Sequence, residues 1–121
     1  MNDLPPQYVR GIELFNAGEF FESHEALEEI WIETEGAERE LLSALIQSAA
    51  AFYHLQRGNL KGASGVYRRA QRKLAGLPPA VMGLDTRAFA RELEDFFASQ
   101  PCSAAPLAAA PQIRLKIQRA K

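Results

Sequence analysis

The sequence predicts an all-α fold, a compact bundle of about five helices built on antiparallel helical hairpins, with an extended C-terminal tail. Apolar residues recur at intervals of three and four along most of the chain, which is the helical period. The period-two alternation typical of strands does not occur before Ile113. Glycines separate segments of helical length: Gly18, Gly36, Gly58 and Gly76.

The first helix is predicted to begin at Pro5-Pro6, because proline is tolerated in an opening helical turn, and to end at Gly18. A second helix is predicted over about residues 19–35. It carries an apolar stripe opposite a row of carboxylates, the pattern of a helix with one buried side. Gly36 is expected to end this second helix.

A third helix is predicted over about residues 38–57 and is apolar on nearly all sides. Such a helix is buried by neighbours on most sides, so we expect it to be the central one. Gly58 ends it, and Asn59 can cap a fourth helix that extends to about residue 75.

Residues 76–79 are predicted to form a loop, and Asp85 or Thr86 caps a fifth helix. Residues 1–100 are therefore expected to form a single helical domain, and residues 101–121 a Pro/Ala linker with a basic-apolar tail. This tail is either poorly ordered or docks as an extended strap over the bundle or a neighbouring subunit. Its apolar residues are Ile113, Leu115 and Ile117.

Composition describes an ordinary globular protein, with 121 residues, 47% of them hydrophobic, and a net charge of −1. Balanced charge argues against a strongly basic nucleic-acid binder, so nucleic acid is not the expected partner. A single cysteine, Cys102, excludes an internal disulfide and favours a reducing cytoplasm. The longest weakly polar run, residues 41–55, is too short to span a bilayer, so no membrane is expected.

Charge is nevertheless distributed unevenly along the chain. Residues 1–40 hold eleven acids and two bases, a local charge of −9, whereas residues 41–84 hold six bases and no acid. One interpretation is that acidic and basic helices lie side by side with solvated faces. The other is a basic face that meets an acidic partner or RNA. Its residues are Arg68, Arg69, Arg72 and Lys73.

One group of polar residues points to chemistry. His24 and Glu28 are four residues apart, so they lie on one side of the second helix, and Trp31 flanks them. Gln47 and His54 share a side of the third helix. If the two helices form an antiparallel hairpin about Gly36, His24, Glu28, Gln47 and His54 are expected to converge between apolar helices.

Two imidazoles and one carboxylate are also a suitable set for a divalent metal, so His24, Glu28 and His54 are the candidate ligands. The complete motifs of known enzymes are absent. The zincin helix needs a second histidine where Glu28 stands, and no phosphate-binding loop or nucleophile elbow is present. The sequence therefore favours a protein that is not an enzyme, and it names no certain cofactor.

The same residues resemble those of a known family, the domain of unknown function 309, over about residues 10–75. The resemblance is carried by Phe15-x-x-Gly18-Glu19-Phe20-Phe21-Glu22-x-His24-Glu25-x-Leu27-Glu28-x-x-Trp31, by Leu45-Ile46-Gln47 and by His54-x-x-Arg57-Gly58-Asn59-x-x-Gly62-Ala63. It implies a small all-helical bacterial or archaeal protein without an established activity. The signature residues that it marks are His24, Glu28, Trp31, Gln47, Gly58, Asn59 and Gly62.

Three functions remain open at this point. The favoured hypothesis is a non-enzymatic structural or interaction module, a homodimer or a binder of another protein, whose buried His/Glu/Gln cluster sets the helix register. The alternative is a metal or small-ligand site, hydrolase-like, at His24, Glu28 and His54. A weaker alternative is RNA or acidic-partner binding by the basic fourth helix together with Arg114, Lys116 and Arg119.

Overall fold

The computed structural model describes residues 4–99. Helices account for 76% of this part, so the predicted all-α fold is confirmed. Within these residues, no helix combines the length and the apolar character needed to cross a membrane. The elements are α1 (Pro6–Asn16), α2 (Phe20–Trp31), α3 (Gly36–Gln56), α4 (Leu60–Ala75), β1 (Ala80–Val81), β2 (Leu84–Asp85) and α5 (Thr86–Ala98).

Most helix boundaries lie where the sequence places them. Gly18 and Gly58, after α1 and α3, have φ angles of +82° and +78°, in the left-handed region that glycine adopts without strain. Asn59 caps α4, because its side chain accepts a hydrogen bond from the N–H of Gly62. Asp85 caps α5 in the same way.

The end of α2 differs from the prediction. The helix stops at Trp31 rather than at residue 35, and Gly36 is the first residue of α3 instead of the end of α2. The hydroxyl of Thr34 donates to the carbonyl of Ile30 at 2.6 Å, taking the acceptor that its own N–H would use in a longer helix. The β-branched residues Ile32 and Thr34 also have weak helical preference.

A small hairpin between α4 and α5 was not predicted. β1 and β2 pair antiparallel, with Ala80 opposite Asp85 and Val81 opposite Leu84. Met82 and Gly83 between them have φ angles of +50° and +78°, as in the two-residue turns that favour hairpins. Strands of two residues are too short to show a period-two pattern in the sequence.

The helices enclose one core. α3 packs against both α2 and α4, while α1 packs on α2, and α5 packs on α4 and the hairpin. The ring of Phe15 joins these helices, because its centroid lies 5.1 Å from Phe20, 5.6 Å from Phe52 and 6.1 Å from Phe89. The predictions on Cys102, the linker and the tail residues Ile113 to Ile117 lie outside the described residues.

Candidate functional site

One side of α3 is open to solvent. Nine residues of this helix are buried, and the half-buried ones recur at spacings of three and four, which keeps them on one side of the helix. They form a stripe between α2 and α4. This stripe, together with the adjoining surfaces of α2 and α4, is named the open face. The half-buried residues of the stripe are Arg39, Ser43, Ile46, Gln47, Ala50, Tyr53 and His54.

An aromatic pocket lies where the open face meets α2. Its volume is about 150 Å³, and His24 and His54 contribute to its lining beside Ala50. The ring of Phe21 lies against that of Tyr53, with 5.6 Å between centroids, although 48% of Phe21 is exposed. The two histidines are therefore polar edges of a mostly aromatic pocket.

His24 and Glu28 form a loose pair at the surface. His24 Nδ1 lies 3.9 Å from Glu28 Oε1, and the two side chains are 31% and 56% exposed. Such a pair is screened by solvent and contributes little to stability. Glu28 lines a second pocket of about 440 Å³, together with Trp31 and Ile32.

Trp31 ties the end of α2 to α3. Its Nε1–H donates to Ser43 Oγ at 2.7 Å, and the guanidinium of Arg39 lies 4.0 Å from the ring centroid. Both contacts join residues of neighbouring helices. The geometry thus gives the signature tryptophan a structural role.

Gln47 lies on the other flank of α3, beside α4. It lines a pocket of about 420 Å³ with Glu40, Arg69 and Arg72. Its Oε1 is buried and has no hydrogen-bond partner within the described part of the chain. A buried acceptor in this condition costs free energy unless a bound group or water satisfies it.

The signature residues Gly58, Asn59 and Gly62 form the turn between α3 and α4. Asn59 Oδ1 accepts from the N–H of Gly62 at 2.9 Å, and its Nδ2 lies 3.3 Å from His54 Nδ1. A Cβ on Gly62 would come within 2.5 Å of Asn59 Nδ2. Glycine is therefore required at position 62 if Asn59 is to keep this capping geometry.

The expected convergence of His24, Glu28, Gln47 and His54 does not occur. His24 and His54 share the aromatic pocket, Glu28 lies beside a different pocket, and Gln47 faces α4. Helical geometry gives the reason. Gln47 and His54 share a side of α3 and both lie beside α4, but seven residues separate them by about 10 Å along the axis. The predicted cluster is therefore not one buried group, because its residues line separate pockets at the surface.

The metal set is not assembled either. Among residues 4–99, no three or more His, Cys, Asp or Glu side chains are placed where they could hold a metal ion together. His24, Glu28 and His54 therefore do not form a ligand group in this geometry.

Sequence reasoning missed the aromatic part of the site. Phe21 and Tyr53 were not singled out, although the pair Phe20-Phe21 carries a signal. Consecutive helical residues lie about 100° apart around the axis, so on a helix with one buried side, as predicted for the second helix, one of these phenylalanines is expected to lie nearer to solvent. In the structure Phe20 is buried and Phe21 is exposed.

Comparison with known proteins confirms the resemblance stated from the sequence. Residues 8–66 match the family model described as Domain of unknown function (DUF309). The match spans α1 to α3 and the first part of α4, and so contains every signature residue named above. No curated protein matches the chain.

Proposed function

From the match of residues 8–66 to DUF309, a family without an assigned function, we propose that this protein is a cytoplasmic, non-enzymatic interaction module. It binds another protein through the open face. The observation that carries the proposal is the exposed aromatic surface of Phe21, packed on Tyr53 beside a pocket. A single cysteine in the whole chain fits a reducing compartment.

The exposed apolar side chains support a binding role for this face. In the part of the chain that the structure describes, the large hydrophobic side chains that are exposed are Phe21 and Ile32, at 48% and 72%. Phe21 lies on α2 against Tyr53 of the stripe, and Ile32, which follows α2, lines a pocket with Glu28 and Trp31. Aromatic anchors beside shallow pockets are characteristic of the centres of protein interfaces.

The polar signature residues support a role without catalysis. The Trp31 indole and the Asn59 amide make hydrogen bonds within the fold. An indole and a primary amide do not exchange protons with a substrate at neutral pH, so these two groups serve the scaffold. The helix register is accordingly maintained by bonds between elements, such as those from Trp31 to Ser43 and from Gln56 to the carbonyl of Gly18.

Site-specific cross-linking tests this function. A photo-reactive benzoylphenylalanine replaces Phe21 on the open face, and a control chain carries it at the exposed Arg87 of α5. Irradiation of cells that make each chain is expected to give a discrete cross-linked protein product from position 21 and none from position 87. Equal products from both positions, or none from position 21, would contradict the proposal.

A second candidate function is the binding of an acidic partner, RNA among them, by α4. The guanidinium groups of Arg68, Arg69 and Arg72 are exposed and have no carboxylate partner within residues 4–99. Arg69 and Arg72 line a pocket of about 420 Å³ together with Lys73. Arg114, Lys116 and Arg119, assigned to the same role, lie outside the described residues.

Fluorescence anisotropy with a labelled single-stranded RNA tests this candidate. Binding is expected to weaken steeply between about 50 and 200 mM salt, because neutralised phosphates release counterions. Arg69→Gln is expected to weaken binding and Glu92→Gln to leave it unchanged. Binding that is absent at low salt, or that does not respond to salt, would remove RNA from consideration.

A further inference from the structure

We propose that the partner of the open face is a second copy of this chain, in a dimer whose two-fold axis runs parallel to α3. The inference rests on the proposed function, because it names the partner of the same surface. It follows from how charge is arranged on the two sides of the α3 stripe.

Opposite charges border the stripe. On the α2 side lie the exposed carboxylates of Glu25 and Glu28, named here the acidic flank. On the α4 side lie the exposed guanidinium groups of Arg69 and Arg72, named the basic flank. The stripe itself contributes small or apolar side chains at its centre, so the face has an uncharged middle and two charged borders.

The two flanks stand at similar heights along α3. His24, which pairs with Glu28 one turn away, shares a pocket with Ala50. Arg69 shares a pocket with Gln47, less than one turn before Ala50. Glu28 and Arg69 therefore lie on opposite sides of nearly the same part of α3, within about one helical pitch, or roughly 5 Å, along its axis.

Symmetry then selects one arrangement of two copies. When the faces meet about an axis parallel to α3, α2 of one copy lies over α4 of the other. Each acidic flank then meets the basic flank of the other copy, so the contact occurs twice in the dimer. When the axis lies across α3, α2 lies over α2 and carboxylates face carboxylates. Like charges in direct opposition cost free energy, so the charges favour the parallel axis.

The centre of the face allows close approach. An axis parallel to α3 brings each residue of the stripe close to the same residue of the other copy. Ala50 would meet Ala50, and Ser43 would meet Ser43. The arginines of α3 and of the following turn do not obstruct this contact, because Arg39 lies over the Trp31 ring and Arg57 lies 5.6 Å from the Tyr53 ring centroid. Small side chains at the axis permit the two helices to pack.

The face is large enough for a stable dimer. α2, α3 and α4 have 12, 21 and 16 residues, so their combined length is about 75 Å at 1.5 Å per residue. Helices spaced about 8–10 Å apart then present about 600–750 Å² per copy. This area lies in the lower part of the roughly 600–1,000 Å² per partner of specific interfaces.

Analytical ultracentrifugation of the full chain gives the first test. The wild type is expected to sediment as a dimer of twice 13.4 kDa and to dissociate on dilution. Ala50→Arg places a charge at the axis and is expected to give a monomer with an unchanged circular dichroism spectrum. Ala98→Arg, the same substitution on an exposed position of α5, is the charge-matched control and is expected to remain dimeric.

Charge reversal across the axis gives the sharper test. Glu28→Arg and Arg69→Glu are each expected to weaken the dimer by on the order of tenfold or more, because both symmetric pairs become repulsive. An equimolar mixture of the two variants is expected to form a heterodimer, since every pair is then again of opposite charge. The double variant in one chain is expected to recover the homodimer for the same reason.

The outcomes separate this inference from the proposed function. A wild type that is monomeric up to about 100 μM overturns the second-copy partner, as do single reversals that dimerise like the wild type. If position 21 then cross-links to a different protein in cells, the open face still binds a partner and only its identity has changed. If position 21 also gives no product, both proposals fail.

Discussion

Gly11 lies at a close crossing of α1 and α2. A Cβ built on Gly11 would lie 2.5 Å from Cδ2 and 2.7 Å from Cγ of Leu27, which is fully buried. The Ser23 hydroxyl donates to the carbonyl of Gly11 at 2.8 Å, at the same crossing. Because the Leu27 side chain is enclosed, it cannot rotate away without displacing its neighbours.

Gly11→Ala is therefore expected to destabilise the fold by about 1–2 kcal/mol. Overpacking costs about 1–3 kcal/mol, and the gain in helical preference offsets up to about 1 kcal/mol of it. Gly65→Ala is the matched control, because nothing lies within 4 Å of its Cβ, and it is expected to stabilise α4 by about 0.5–1 kcal/mol. Urea unfolding of both variants measures the difference, and equal midpoints would contradict the prediction.

Because of Tyr8, the free energy of unfolding is expected to fall at alkaline pH. The residue is fully buried, and its hydroxyl donates to the carbonyl of Met82 at 3.1 Å. Burial, and secondarily the negative charge of Glu38, raises the pKa of the Tyr8 phenol well above its usual value near 10. Above about pH 10 the unfolded chain loses this proton while the folded chain keeps it, so stability falls as the pH rises.

Tyr8→Phe is expected to reduce this alkaline loss of stability. The variant loses one hydrogen bond, about 1 kcal/mol at neutral pH, but has no phenol to ionise in the unfolded state. Urea unfolding at pH 7 and at about pH 11 gives the comparison with wild type. A wild type and variant that lose the same free energy between these two values would show that Tyr8 does not carry the effect.

At the scale of elements, one hydrogen bond connects the end of α2 with α3. Trp31 donates this bond to Ser43 across the turn between the two helices. The sequence placed the end of α2, and hence the start of this turn, four residues too late. Helix starts and stops were predictable where a glycine with positive φ or a capping side chain defines them, as at Gly18 and Asn59. The end of α2 was not, because it depends on whether the Thr34 hydroxyl takes the carbonyl of Ile30.

A double-mutant cycle measures what this connection contributes. Trp31→Phe and Ser43→Ala are each expected to lower the free energy of unfolding, and their coupling is expected to be about 1 kcal/mol, since both remove the same bond. Ser64→Ala on α4 is the control partner for Trp31→Phe and is expected to be additive. A coupling near zero would mean that the bond does not hold α2 and α3 together.

At the scale of the whole molecule, one aromatic core joins the helices. Phe52 of α3 lies 5.6 Å from Phe15 of α1 and 5.2 Å from Phe96 of α5, measured between ring centroids. A core shared in this way leaves no group of helices with a separate interior among residues 4–99. That residues 1–100 form a single domain is a prediction that an unfolding experiment can test.

We expect one cooperative transition in urea. Trp31 fluorescence reports on the contact between α2 and α3, and far-ultraviolet circular dichroism reports on all helices, so the two curves should coincide. The measurement is made at protein concentrations below the dissociation constant of the dimer, where association contributes nothing to stability. The two signals are then expected to give the same urea midpoint. Separate midpoints for the two signals would show that some helices unfold independently of the others.

The sequence by itself determined the fold class and most helix boundaries, because helical period, glycine punctuation and capping residues act over a few neighbouring positions. It also determined the similarity of residues 8–66 to the DUF309 family model. It singled out Trp31 and Asn59 as well, which make hydrogen bonds within the fold. Only the tertiary structure decided which of the identified side chains meet. The rotation of each helix about its own axis separates Gln47 from His24 and brings Phe21 to Tyr53, and that rotation is fixed by packing across the whole core.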